Sequence, residues 1–173
     1  LFKEIDGKTG LEVISKSKKL NEERTKISRE RELSEIKELE SKKLLSSQNK
    51  MELSKFKVIS SSFRKEPKGE YSVREKPIID IRVKNETKFP VSRAYFTGTI
   101  RSEGRSIPWL VEDFNYSISG GIEPNEERSW ALAPNIFSEW AIVDSPSDAI
   151  FDVEVVEIDG TDGQTLFSSR VFS

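Results

Sequence analysis

The sequence predicts a mainly β protein with one long N-terminal α-helix: an immunoglobulin-like antiparallel β-sandwich of about seven strands, with a short helix near residues 134–142. Three observations lead there. Between Leu11 and Phe56 there is neither Pro nor Gly, and Lys, Glu, Ser, Arg and Leu, mostly good helix formers, dominate. From residue 56 onward the texture changes to short runs of β-branched and aromatic residues. Between those runs stand Gly, Pro, Asn and Asp, the residues that tight turns select. The expected organisation is a charged helical stalk or docking arm over residues 1–55 and a sandwich over residues 56–173.

The helix begins after "DGKTG", residues 6–10, where Thr9 is placed to cap the first turn and Glu12 to complete a capping box, weakened by Gly10 inside it. Forty-five residues of helix would measure roughly 65–70 Å at about 1.5 Å per residue. Its densest stretch, "RERELSEIKELESKK" over residues 29–43, holds ten charged side chains in fifteen, five of each sign. The apolar positions are Leu20, Ile27, Leu33, Ile36, Leu39, Leu44, Leu45, Met51 and Leu53. Their spacing is not a heptad and does not hold one straight stripe, so a sustained coiled coil is not expected. Glu22 with Lys26 and Glu38 with Lys42 stand acid before base at i and i+4, worth about 0.2–0.5 kcal/mol each. Such a helix serves either as a solvated spacer or as a docking or self-association element built on Leu33, Ile36, Leu39 and Leu44.

The strands are expected at residues 56–65, 78–85, 91–102, 114–119, 127–133, 149–159 and 166–172. Alternation is plainest at Ile79, Ile81 and Val83 and at Phe151, Val153 and Val155, with Asp80, Arg82, Asp152 and Glu154 between them facing water. "EPKGE", "NETKFP", "SEGRS", "SGGIEPNE" and "DGTDG" supply the connections. Residues 133–146, "APNIFSEWAIVDSP", interrupt the β rhythm. Pro134 suits a first helical position, and Ile136, Phe137, Trp140 and Ile142 are expected to form the apolar face of a short helix closing one end of the sandwich.

Charge and composition narrow the function. Charged residues make up 34% of the 173, against about 25% in an ordinary globular domain, so part of the chain must be solvated. The net charge of −2 conceals 14 basic and 11 acidic groups in residues 1–55 and an acidic excess thereafter. Neither part has the concentrated basic patch of a nucleic-acid binder. There is no Cys and no His, which removes disulfides, thiolate nucleophiles and the commonest general base and metal ligand. No cofactor and no catalytic function are expected. No run approaches 20 apolar residues. The first residue is Leu1 rather than Met, which suggests a processed N-terminus and a removed signal peptide.

Residues 77–140, preceded by "IDGKTGLEVISKSKKL" and the polar helix, resemble a family of small, uncharacterised bacterial envelope lipoproteins, with "GRSIPWL" and "LAPNIFSEW" as the specific strings. "VKNETKFPVSRAYFTGTI" resembles more loosely the FxLYD type of sandwich repeat in bacterial surface proteins. In that family a lipid-carrying Cys precedes a "DGKT"-like segment, a charged helix and a sandwich. The resemblance implies a periplasm-facing protein tethered by a lipid anchor on a residue that this chain lacks; it implies no activity and no binding residues.

Three further strings invite chemistry. "DGTDG", residues 159–163, is read as a hairpin turn, because the ligand spacing of a calcium loop does not follow it. In "WLVEDFNY" the adjacent Glu112 and Asp113 point to opposite faces of a strand and make a poor catalytic pair. Trp109 and Tyr116 are either packing residues or, with the "SGG" turn at residues 119–121, the lining of a small-ligand or glycan site. The Asn-x-Ser/Thr strings at Asn85 and Asn115 matter only in a host that glycosylates. Two readings therefore stand: a non-catalytic envelope protein whose helix presents a protein-binding sandwich, and a small-ligand-binding sandwich.

Overall fold

The computed structural model describes residues 7–67 and 75–170, with side chains from residue 14 onward. It has a long N-terminal helix, seven antiparallel strands in two sheets and one short helix, so the immunoglobulin-like sandwich is present. The chain divides into two compact units, Leu1–Leu45 and Ser46–Ser173.

The first helix, α1, runs without a break over Gly7–Leu53. It already contains Thr9, so the helix starts earlier than a cap at that residue would place it. The side chains of Thr9 and Glu12 lie outside the described residues. Further along, hydroxyls that would compete with the helix are satisfied within it: Thr25 Oγ1 donates to the Asn21 carbonyl at 2.7 Å and Ser41 Oγ to that of Glu38 at 2.8 Å. Glu38 and Lys42 pair at 2.7 Å, whereas Glu22 and Lys26 form no ion pair among the described residues.

The second unit begins with the last turns of α1. Leu53 is buried there, and the helix stops through a tight turn in which the Ser54 and Lys55 amides donate to the carbonyls of Lys50 and Glu52. Strand β1 (Phe56–Pro67) starts at once with the buried Phe56. It pairs with β2 (Glu75–Asn85), which pairs in turn with β5 (Glu127–Leu132). The facing sheet is β4-β3-β6-β7, made by β4 (Leu110–Ile122), β3 (Val91–Arg101), β6 (Ile150–Gly160) and β7 (Thr165–Ser168). The fourth strand therefore lies beside the third, not beside the fifth as in a constant-type immunoglobulin domain.

The period of two builds the core. Ile79, Ile81 and Val83 of β2 are all buried, as are Ala94, Phe96 and Ile100 of β3, while Arg82 remains exposed. One cluster joins Leu53, Phe56, Ile81 and Val83 to Phe96, Ile118, Ile122 and Ile158. A second, at the other end, gathers Ile79, Ile100 and Trp140 with Phe63 and Phe151 around them.

Trp140 comes from the short helix α2 (Glu139–Ile142), which is smaller than the sequence suggested. Pro134 does not begin it. The side-chain carbonyl of Asn135 accepts from the Phe137 amide, and the Asn135 main-chain carbonyl from Ser138, so a turn occupies the place of the first helical turn. The expected apolar face is also corrected: Trp140 is buried, but Phe137 and Ile142 are exposed. The indole fits because residue 98 is Gly; a Cβ there would lie 2.5 Å from Trp140 Cη2 and 3.0 Å from Phe151 Cε2. Lys65 of β1 donates to the Ala141 and Val143 carbonyls at 3.2 and 2.5 Å, tying α2 to the sheet edge.

At the opposite end a buried polar knot replaces apolar packing. Asn85 is 0% exposed, its amide group donating to the carbonyls of Phe89 and Ile122 while its oxygen accepts from both the amide and hydroxyl of Thr87. Its own carbonyl accepts from Asn125, a residue held at φ 67° in the turn before β5. Among the described residues no buried side-chain polar atom lacks a partner.

Candidate interaction surfaces

The four helix positions expected to dock a partner are solvated in this chain. Leu33, Ile36, Leu39 and Leu44 are 52–61% exposed. A three-residue step falls short of a full turn by about 60°, so Leu33, Ile36 and Leu39 fan over about 120° of the helix surface and form no straight stripe along it. Residues 29–43 thus offer water a mixed surface in which these three aliphatic side chains stand among ten charged ones.

Trp109 and Tyr116 are not brought together. Trp109 stands just before β4, half-buried, its Nε1 donating to Ser102 Oγ at 2.9 Å and its face covered by the Arg105 guanidinium 3.7 Å from the ring centre. Tyr116, seven residues on, is about 23 Å along an extended strand and packs on Trp130 at 5.0 Å between ring centres. Tyr116 lines a cleft of about 310 Å³ with Phe114, Leu132 and Pro134, and Trp109 is not part of it. The "SGG" segment is a bulge in β4, not a turn: Val91 faces Ile122 and Arg93 faces Ser117, so residues 118–121 stand opposite a single residue. Gly120 and Gly121 there hold φ of 79° and 70°, which a side chain would strain.

Glu112 and Asp113 part as expected. Asp113 is on the outer face, accepting from Thr97 Oγ1 at 2.6 Å and from Arg170 Nη2 at 3.0 Å. Glu112 lies across from Gly98, on the inward side of the register. The outer face of this sheet continues as a hydrogen-bonded array in which Tyr95 OH and Thr165 Oγ1 donate to the buried carboxylate of Asp159. "DGTDG" is the β6–β7 hairpin, closed by bonds between Gly160 and Gln164 and between Gly163 and Gly160. Among the described residues no group of three or more acidic side chains is placed to hold a metal ion.

Two half-buried carboxyls of the sandwich are held below their ordinary range. Lys57, and after it Lys84, stabilises the charged form of Glu86. The Glu123 amide and then Arg128 do the same for Glu126. Both stand at the end of the sandwich where the Asn85 knot lies.

One surface was not visible in the sequence. Between the edges of β1 and β6 runs a cleft of about 620 Å³, with Phe56, Val58, Val153 and Val155 on its walls and Lys50, Lys57, Glu154 and Ser169 at its rim. The alternation of both strands is legible, but a cleft depends on which edges meet and on how far β7 extends. No family model, curated protein or solved structure matches the chain.

Proposed function

We propose that the chain is a non-catalytic protein of the bacterial cell envelope, facing the periplasm, in which the charged helix is a spacer or docking arm and the sandwich binds another protein. The observation that carries this reading is the division of labour between the units: a helical first unit whose large apolar side chains from Ile14 to Leu45 stay exposed, and a second unit, including Leu53 at the helix end, that holds a buried core. A helix without an apolar stripe does not fold for the sake of burial, and reach or weak docking is what it offers. The resemblance of residues 77–140 to envelope lipoproteins supports the compartment. No helix among the described residues is long and apolar enough to cross a membrane; in this reading attachment is by a lipid. The small-ligand alternative has weaker support, because Trp109 and Tyr116 line no common cleft.

Small-angle scattering with light scattering across a concentration series tests the proposal. An elongated monomer at every concentration is the expected result and places partner recognition on the sandwich. A dimer that disappears when Leu33, Ile36 and Leu39 are changed to Ser makes the helix the interface instead. A compact monomer with the helix folded back overturns the spacer role.

A further inference from the structure

β4 and β5 are edge strands of the two sheets, at the edges away from β7 and β1. Between them runs a cleft of about 310 Å³ lined by Phe114, Tyr116, Leu132 and Pro134. Tyr116 packs on Trp130 with 5.0 Å between ring centres, and Phe114 stands two residues before it, about 6.6–6.8 Å along the same face of β4. Residues 114–134, which supply both walls, lie within the described stretch of residues 75–170. Residues 171–173 follow β7 at the far edge of its sheet, and residues 68–74 join Pro67 to Glu75, four residues along β2 past Ile79, the partner of Leu132.

The aromatic wall carries donors that the fold does not use. Trp109 Nε1 and Tyr95 OH are taken by Ser102 and Asp159, whereas Tyr116 OH and Trp130 Nε1 have no hydrogen-bond partner among the described residues. Both side chains are half-buried, and no buried side-chain polar atom there lacks a partner, so water reaches both groups. The charge around them is one-sided. Residues 106–169 hold thirteen acidic side chains and one basic one, Arg128, whereas residues 46–105 hold fourteen basic and seven acidic. Arg128 is itself paired with Glu126 at 2.6 Å. Both walls of the cleft, and α2 beyond Pro134, belong to the acidic part. Glu112, two residues before Phe114 on the same side of β4, and Glu139, the first residue of α2, form no ion pair among the described residues.

We propose that this cleft binds a basic, proline-rich segment of a partner polypeptide in the polyproline II conformation, its proline rings against Phe114 and Tyr116, a main-chain carbonyl accepting from Tyr116 OH, and its Lys or Arg side chains toward Glu112 and Glu139. The inference rests on reading the sandwich as a protein-binding module and names its ligand class. Three observations select one occupant. Aromatic faces accept flat apolar rings, and a polyproline II segment presents them in a preformed conformation. Its carbonyls make no internal hydrogen bonds and take up donors such as Tyr116 OH and Trp130 Nε1. Positive charge on the segment complements a surface with almost no base of its own. A neutral sugar would use the rings and donors and leave the acidic charge unmatched.

The test is an NMR chemical-shift titration of the full 173-residue chain. The probe is a nine-residue acetylated and amidated peptide with lysine at every third position and proline elsewhere, because three residues per turn bring the lysines to one edge. The resonances of Phe114, Tyr116 and Leu132 are expected to shift, and the indole N–H of Trp130 to move with them. Replacing the prolines by glycine, or the lysines by glutamate, is expected to weaken binding about tenfold; these two peptides test the unaltered chain and need no variant to fold. Tyr116→Phe removes the hydroxyl and keeps the ring on Trp130, and is expected to weaken binding about fivefold. Glu112→Gln is expected to make binding less sensitive to salt. No shift at millimolar peptide, equal binding of the glycine or the glutamate peptide, or unchanged affinity in both variants overturns the proposal. Shifts confined to the cleft between β1 and β6 overturn this site while leaving a protein-binding sandwich standing. Shifts at Phe114 and Tyr116 that grow with chain concentration before peptide is added make a second copy the occupant and overturn a partner segment. Equal shifts there with maltotriose make the cleft a glycan site and overturn both the proposal and the reading beneath it.

Discussion

Leu33 and Ile81 are both aliphatic residues set among charges, in "RELSE" and "IDIRV", yet Leu33 is more than half exposed and Ile81 is buried. The difference is one of period. Steps of three along a helix rotate each successive aliphatic side chain by about 60°, so Leu33, Ile36 and Leu39 fan over about 120° of a surface shared with charged residues and stay exposed. Steps of two along a strand bring Ile79, Ile81 and Val83 back to one side every time, and a second sheet covers that side. Residues 14–45 are exposed throughout, whereas the second unit has a dry interior. Charge fraction alone therefore says nothing about which segments of this chain carry its stability.

That contrast is broken most directly at Trp140. Trp140→Ala empties the second core cluster and is expected to cost the sandwich about 3–5 kcal/mol, read from denaturant unfolding. Gly98→Ala presses a methyl group into the same indole and is expected to cost about 1–3 kcal/mol; loss of the aromatic packing without loss of the β6–β3 pairing distinguishes it from general unfolding. Acid is expected to act more weakly. Glu86 and Glu126 have folded-state pKa values below their unfolded values, so their contribution is complete above the ordinary carboxylate range and is lost as pH falls through the lowered values. A titration of unfolding midpoint against pH, repeated with Glu86→Gln and Glu126→Gln, is expected to show a shallower acid slope in both variants. The smallest effect is expected in the helix, where changing Leu33, Ile36 and Leu39 together to Ser leaves the unfolding midpoint of the sandwich within about 0.5 kcal/mol. A larger change would mean that the first unit is covered in solution.

Legibility in the sequence follows the same division. Unbroken helix formers and strict alternation in β2 and β6 are local properties, and helix, strands and core residues were readable from them. Strand partners are not local: nothing in "FNYSISGGI" says that it lies beside β3 or that its glycines bulge within the strand. Asn85 shows the limit at a single residue. Its Asn-Glu-Thr string is legible only as a glycosylation pattern, whereas the side chain has no solvent access and both amide hydrogens are used. Trp140 was visible as an apolar residue near a helix, but its seat depends on Gly98, forty-two residues earlier in the chain. Of the surface residues, Trp109 and Tyr116 attracted notice by type, whereas no residue type marks the cleft between β1 and β6, because it depends on which strands the fold brings together.

The placement of the indoles has a spectroscopic consequence. Trp109, Trp130 and Trp140 are the only three tryptophans, all of them in Ser46–Ser173, and the first 45 residues contain no tyrosine either. Tryptophan emission and near-ultraviolet dichroism therefore report the sandwich alone, while the far-ultraviolet helix signal is dominated by α1. The melting of each unit can be followed separately in one unlabelled sample, with colour serving as the address.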